Sequence, residues 1–293
     1  MTDPFVHPPQ HAVREAVARA LAEDLTPLGD LSASLLPAHV MARATFVSRQ
    51  PGVLAGIRCA TEAFSQVDAS LLVQWQLDDG DRVEPGCIIG VVSGAIGPIL
   101  TAERTALNFL GHLSGVATRT REFVDRAGSR IRVWDTRKTT PGLRALEKAA
   151  VRAGGGRNHR GNLSDWVMLK DNHLMGIGIT AGVLLAKDRW PGRTIHVECE
   201  RLDQVIEAAE AGADALLLDN MTPSEVRACV DAVIDAFGGR RPLLEVSGGI
   251  TLETIASYAD TGADLVSSGS LTNSAPVLDI GLDILRSDHV QAR

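Results

Sequence analysis

Charged and small polar residues recur at one kind of place in this chain, directly after a short apolar run. Asp135-Thr136-Arg137-Lys138 follows Ile131–Trp134, and Lys170-Asp171-Asn172-His173 follows Trp166–Leu169. Glu198 follows Thr194–Val197, and Asp219-Asn220 follows Ala215–Leu218. Ser247-Gly248-Gly249 follows Leu243–Val246, and Ser268-Gly269-Ser270 closes the run Asp264–Ser267. Arg137, Lys138, His159, Arg160 and Lys170 supply cations. Arginine pairs with carboxylate or phosphate through two parallel hydrogen bonds, so this set suits a ligand with more than one acidic group. Glu198 and Asp219 supply hard oxygen donors, which suit Mg²⁺ shared with a diphosphate. The small loops at Ser247–Gly249 and Ser268–Gly269 precede helical stretches, where backbone N–H groups bind phosphate. Read together, these groups fit phosphoribosyl transfer to an acidic acceptor. Other readings of single residues stay open: Lys170 as a Schiff-base lysine, Glu198 as a structural partner of Arg160, His159 as an orienting group.

The elements that must position these residues are strands alternating with helices. Helical patterns at Leu202–Ala211, Pro223–Phe237 and Leu252–Thr261 separate the apolar runs. Repeated strand–helix units imply a parallel sheet. Polar groups gathered at successive strand ends fit the active face of an α/β barrel. No GxGxxG follows the first run, which disfavours a dinucleotide-binding sheet. Before residue 110 the rhythm differs. A helical pattern covers Gln10–Asp24, and strand-like runs lie at Ala42–Ser48, Gly52–Gly56 and Leu71–Leu77, with turns at Asp79-Gly80 and Pro85-Gly86. The stretch DGDRVEPGCIIGVVSG has the pattern of a biotinyl or lipoyl carrier, but no lysine precedes Lys138. It reads as a structural β-layer, followed by a long helix over Glu103–Ala127.

Composition narrows the function classes. The chain has 293 residues, 45% apolar and 22% charged, as a folded chain with a sizeable core requires. Net charge is −7, and six Phe, four Trp and one Tyr are few, which argues against nucleic-acid binding. The lysines are Lys138, Lys148, Lys170 and Lys187, all other basic side chains being arginine, so a lysine within a motif carries weight. Cys59, Cys87, Cys199 and Cys229 lack zinc-site spacing and fit free thiols in a reducing cytoplasm. MTDPFVHPPQ has no signal-peptide pattern. The uncharged run Pro85–Ala102 holds four Gly and two Pro and reads as strands and turns, not as a membrane span.

The run Asp135–His173, DTRKTTPGLRALEKAAVRAGGGRNHRGNLSDWVMLKDNH, resembles the quinolinate phosphoribosyltransferase family. AERTALNFLGHLSGVAT (Ala102–Thr118), EAAEAGADALLLDNM (Glu207–Met221), EVSGGIT (Glu245–Thr251), LDIGLDIL (Leu278–Leu285) and the weaker AEDL…GDLS (Ala22–Ser32) extend it over nearly the whole chain. The acidic loop of the other phosphoribosyltransferase class is absent. The resemblance implies an N-terminal α/β domain of hammerhead type over 1–110. It implies an incomplete α/β barrel of six to seven parallel strands over 111–274, and a segment 275–293 that returns to the first domain.

For activity, the resemblance implies that quinolinate and phosphoribosyl diphosphate (PRPP) give nicotinate mononucleotide, CO₂ and diphosphate, on the route to NAD, with Mg²⁺ as the only cofactor. Arg137, His159, Arg160 and Lys170 would hold quinolinate, and Lys138 would reach PRPP. Glu198 and Asp219 would serve the ribose and the Mg²⁺-diphosphate. Ser247, Gly248, Gly249, Ser268 and Gly269 would form the 5′-phosphate region. A homodimer is implied, with Arg104 reaching into the partner's pocket and higher assembly open; no membrane or nucleic-acid partner is expected. Two departures stand out. Asn273 sits where many relatives carry His, and Glu200 competes with Glu198 because alternation puts both on one strand face. The alternatives are a PRPP-dependent transferase for another aromatic acid, a Schiff-base barrel lyase using Lys170, and a binding protein that kept the pocket.

Overall fold

The computed structural model describes residues 6–285. In chain order its elements are α1 (Gln10–Leu25), β1 (Met41–Ser48), β2 (Gly52–Val53), α2 (Ile57–Val67), β3 (Leu72–Trp75), β4 (Arg82–Val83), β5 (Ile88–Ala95) and α3 (Ile96–Ala127). There follow β6 (Arg132–Trp134), α4 (Arg144–Ala153), β7 (Val167–Leu169), α5 (Asp171–Leu174), α6 (Ile179–Arg189), β8 (Ile195–Cys199) and α7 (Leu202–Glu210). Last come β9 (Ala215–Asp219), α8 (Pro223–Phe237), β10 (Leu243–Ser247), α9 (Ile255–Ala259), β11 (Leu265–Ser267), α10 (Ser270–Asn273) and β12 (Ile280–Leu285). The described chain divides into two compact units. One holds the residues up to Arg121, Thr139–Gly155 and the residues from Ser274; the other holds Glu122–Lys138 and Gly156–Asn273. Residues 1–5 of the N-terminal reading and 286–293 of the returning segment lie outside the described residues.

The first unit is built on an antiparallel sheet in the order β12-β1-β5-β3. Its core gathers Phe46 of β1 against Phe64 of α2, ring centroids 5.8 Å apart edge-on, and against Trp75 of β3 at 4.8 Å. Chain enters the sheet from both ends: β12 pairs with β1 from Arg43↔Leu285 to Ser48↔Ile280. Just before β12, the chain lies on α3. The Leu278 N–H donates to the Gly111 carbonyl at 3.0 Å, and a Cβ on Gly115 would collide with the Pro276 carbonyl. Glycine at 115 is therefore required by close backbone approach.

Two elements here depart from the sequence reading. The long helix begins at Ile96, not Glu103, although Gly97 and Pro98 look like breakers. Proline in the first turn has no helical partner to lose, so it does not end a helix there. The run Gly52–Gly56 forms strand only over Gly52–Val53, and Gly56 turns at φ +101° into α2, which the sequence reading left out.

The second unit is a six-stranded sheet in the order β6-β11-β10-β9-β8-β7 with parallel pairing throughout. All six apolar runs read from the sequence form its strands. No β6–β7 pairing is present among the described residues, so the barrel is incomplete. Six strands are found among them, and no seventh joins this sheet. Helices between the strands start where the side chains dictate. At α8, Thr222 and Glu225 form a reciprocal capping box with Pro223 behind them. The helix expected over Leu252–Thr261 shrinks to α9, because Thr251 and Thr254 bond each other's backbone and hold a turn instead. No helix among the described residues is long and apolar enough to cross a membrane.

Candidate active site

Strand alternation places every second side chain of the parallel sheet on one face. Met168 and Lys170, Leu217 and Asp219, Glu245 and Ser247 are such pairs, at the carboxyl ends of β7, β9 and β10. With Glu198 of β8 and Ser267 of β11 they line a cleft of about 520 Å³ within the second unit. Thr136, Arg137, Lys138, His159, Arg160, Asn220, Gly248 and Gly249 complete its wall.

His159 and Arg160 do not sit at the end of a sheet strand, yet they reach the cleft. The segment carrying them is stitched along β6. The Arg157 N–H donates to Val133 O at 2.8 Å, and the Asp135 N–H to Arg157 O at 3.1 Å. The fully buried Asp135 carboxylate then accepts from the His159 backbone N–H at 2.8 Å and from Asn158 Nδ2 at 2.7 Å. One buried acid thus fixes the backbone of the Asn158-His159-Arg160 triplet. Burial, and then the Arg137 charge, pull the Arg160 guanidinium below its ordinary pKa. Such crowding of buried cations is relieved by an anionic ligand.

The opposite wall is acidic. The Asp219 carboxyl is pushed above the usual range by burial and by the Glu198 charge. Glu198 pairs with Lys170 across adjacent strands. Glu200, the competing acid, is exposed and lines a neighbouring depression with Asp203 and Glu207. The side chain of Asn220 donates to Asp219 Oδ2 at 2.7 Å, and its backbone N–H donates to Ser247 O at 3.0 Å. Gly248 turns beside it at φ +94°, where any Cβ would strike Asn220.

Lys138 lines the cleft from the loop after β6. Thr272 Oγ1 donates to its carbonyl at 2.7 Å, and a Cβ on Gly269 would lie 2.8 Å from its Cδ. Gly269 thus packs on the Lys138 side chain, and Ser268 donates to Ile250 O at 3.2 Å; the serines that line the cleft are Ser247 and Ser267, their hydroxyls 3.2 Å apart. Arg104 belongs to the first unit, exposed on α3 beside a depression with Leu107, Asn108 and residues 277–280. Asn273 ends α10, and its N–H donates to Gly269 O at 3.1 Å.

Beneath the cleft lies a group that the sequence reading missed. Glu245 Oε2 is 3.3 Å from His159 Nε2 and 3.4 Å from His196 Nε2, all three residues being buried. The only available signal was an acid inside an apolar strand, LLEVS. Burial would raise the Glu245 carboxyl, but the contacts with His159, His196 and Ser267 hold it below its usual value. Burial lowers His196 to about 4.

A model of the quinolinate phosphoribosyl transferase C-terminal domain matches residues 116–283, and a model of the N-terminal domain matches residues 30–114. The chain belongs to the quinolinate phosphoribosyltransferase family. It is 39% identical over 278 residues to the carboxylating nicotinate-nucleotide pyrophosphorylase of Mycobacterium leprae, covering 93% of this chain and 97% of the relative. It is 37% identical to the mitochondrial quinolinate phosphoribosyltransferase 2 of Nicotiana glauca, covering 95% and 85%. The solved nicotinate-nucleotide pyrophosphorylase of Francisella tularensis superposes with a TM-score of 0.91 at 34% identity, covering 97% of this chain and all of that one. As a quinolinate phosphoribosyltransferase the chain is a pentosyltransferase. In it, Arg137, Lys138, His159, Arg160, Lys170, Glu198, Asp219 and Ser247–Gly249 share one cleft.

Proposed function

We propose that this chain transfers the phosphoribosyl group of PRPP to the ring nitrogen of quinolinate and releases CO₂ and diphosphate, leaving nicotinate mononucleotide for NAD biosynthesis. The observation that carries this is one cleft with crowded cations on one wall and paired acids on the other, in a chain of this family. Arg137, Arg160, His159 and Lys170 hold the two carboxylates. Stripping water from both without cationic partners would be too costly, so a monocarboxylate would leave part of this wall unmatched. Fixing the pyridine ring there aims its nitrogen at C1 of the ribose, and such positioning removes a large part of a bimolecular barrier.

Lys138 binds PRPP phosphate. The Ser247-Gly248-Gly249 turn offers backbone N–H groups to the 5′-phosphate, with Ser268 and Gly269 behind the Lys138 loop. Glu198 and Asp219 converge from neighbouring strands as hard oxygen donors, Asp219 raised by burial and then by the Glu198 charge, and a divalent cation suits that pair. When bound, Mg²⁺ supplies charge neutralisation at the diphosphate. The nitrogen lone pair forms the bond to C1 as the bond from C1 to the diphosphate oxygen breaks. The pyridinium nitrogen then accepts the electron pair left at ring carbon 2 when CO₂ departs, and a proton replaces CO₂.

The reading includes a homodimer, supported by exposed apolar side chains in the first unit. Leu28, Leu31, Leu35, Met41, Leu72 and Val277 are each more than 60% exposed. Arg104 would serve the partner's cleft. It also includes a cytoplasmic location, supported by four free cysteines.

The test is purified protein with Mg²⁺, PRPP and quinolinate labelled in its 2-carboxylate, with nicotinate as a parallel acceptor. PRPP-dependent release of label together with nicotinate mononucleotide is expected. Product from nicotinate at an equal rate would overturn the assignment of the acceptor.

A further inference from the structure

His159 is walled in from several sides. Its backbone is fixed by Asp135. Its ring lies edge-on to Trp166 at 4.8 Å and to Trp134 at 6.0 Å, and stacks on His196 at 5.7 Å. The remaining restraint is Glu245, whose Oε2 faces Nε2 of both imidazoles. Glu245 is 1% exposed, so its charge is not screened by water. It projects from the middle of β10, while His196 projects from β8; neither is needed to pair the sheet. A buried acid at this depth has a purpose in the geometry of what it touches, since an apolar residue would pack at lower cost.

We propose that Glu245, seated beside His196, is a positioning residue for quinolinate: its buried carboxylate faces His159 Nε2 from below and holds the orientation of the ring, so that His159 meets the substrate in one fixed pose. This rests on the reading of His159 as a quinolinate ligand. The donor atoms of His159, His196 and Glu245 all lie within 4.8 Å of one another, close enough for a metal ion. The charges of Arg160 and Lys170 reach the same cluster and oppose a cation there. Close approach of the carboxylate to both imidazole edges holds the cluster together without an added ion.

The experiment is steady-state kinetics of the Mg²⁺-loaded enzyme for Glu245→Gln, His159→Gln and the double variant, varying quinolinate and PRPP separately. Each single variant should raise the KM for quinolinate about tenfold, the size of one misplaced polar contact to the substrate. The KM for PRPP should stay within about twofold, and the double variant should match His159→Gln alone. Effects that multiply in the double variant, or equal losses for both substrates, would mean that Glu245 does not act through His159. A neutral Glu245→Gln beside a damaging His159→Gln removes the inference and keeps the reading of the site. A neutral His159→Gln removes both. If Glu245→Gln does not fold, His196→Gln takes its place in the cycle with the same expected pattern. Stoichiometric zinc in the purified enzyme that disappears with Glu245→Gln would replace the proposal with a metal site.

Discussion

Glu198 and Glu200 lie two positions apart, and the sequence favours Glu198 only by the motif count back from LLLDN, since strand alternation puts both on one face. In the structure Glu198 lines the cleft beside Lys170 and also borders the adjoining depression, whereas Glu200 lines the depression and not the cleft. Glu198→Gln should therefore raise the KM for PRPP at limiting Mg²⁺ at least tenfold, while Glu200→Gln should stay within about twofold. Reversed results in a Mg²⁺-varied assay would shift the assignment by one inward position. On the opposite wall, Arg160→Ala should raise the KM for quinolinate by about 100-fold and that for PRPP far less. Equal effects on both constants would remove Arg160 from the acceptor end.

His196 makes a stability prediction at the same scale. Its ordinary pKa is 6.5 and burial lowers it to about 4 in the folded chain. Between those pH values the unfolded chain binds the extra proton. The contribution is therefore fully present above about pH 6.5 and is lost as pH falls toward 4, by about 3 kcal/mol at most. Thermal melts from pH 7 to 4 should fall more steeply for the parent than for His196→Gln; parallel curves would show that His196 does not drive the acid limb.

At the scale of elements, the six barrel strands were legible because each is a short, mainly apolar run ending in polar residues. Lys170, Glu198, Asp219 and Ser247 followed from those ends. His159 and Arg160 entered the cationic set by residue type alone, because a backbone ladder with β6, not a strand end, carries them to the cleft. Glu245 stayed hidden because one acid in an apolar strand gives no periodic signal. The start of α3 was missed for the converse reason: Gly97 and Pro98 mark a stop locally, and only the context of a first turn cancels it. The turn after β10 yields a prediction. Gly248 has a left-handed φ and no room for a Cβ beside Asn220. Gly248→Ala should displace Asn220 or the turn, raise the KM for PRPP about tenfold, and lower stability by about 1–3 kcal/mol. An alanine variant with unchanged PRPP kinetics and an unchanged melt would show that the turn yields freely.

For the whole molecule, the question is whether one chain completes its own active site. The cleft lies within the second unit, and Arg104, charged and exposed, belongs to the first, beside Asn108 and Asp279. Leu28, Leu31, Leu35 and Leu72 of the same unit are exposed as well. A second copy of the chain satisfies both facts if it brings its own Arg104 to this cleft. An arginine supplied in trans suits an acceptor with two carboxylates, since it adds a cation without further crowding of Arg137 and Arg160 in the free subunit. Arg104→Ala and Lys170→Ala should each nearly abolish turnover when pure. Mixed and exchanged, they should regain activity, because some hybrid dimers carry one cleft with neither defect. Random reassortment makes half the dimers hybrid and gives each a single intact site, so recovery should approach about one quarter of the parent rate. Exchange demonstrated by mass measurement of the hybrids, with no recovered turnover, would mean that Arg104 does not act across the interface.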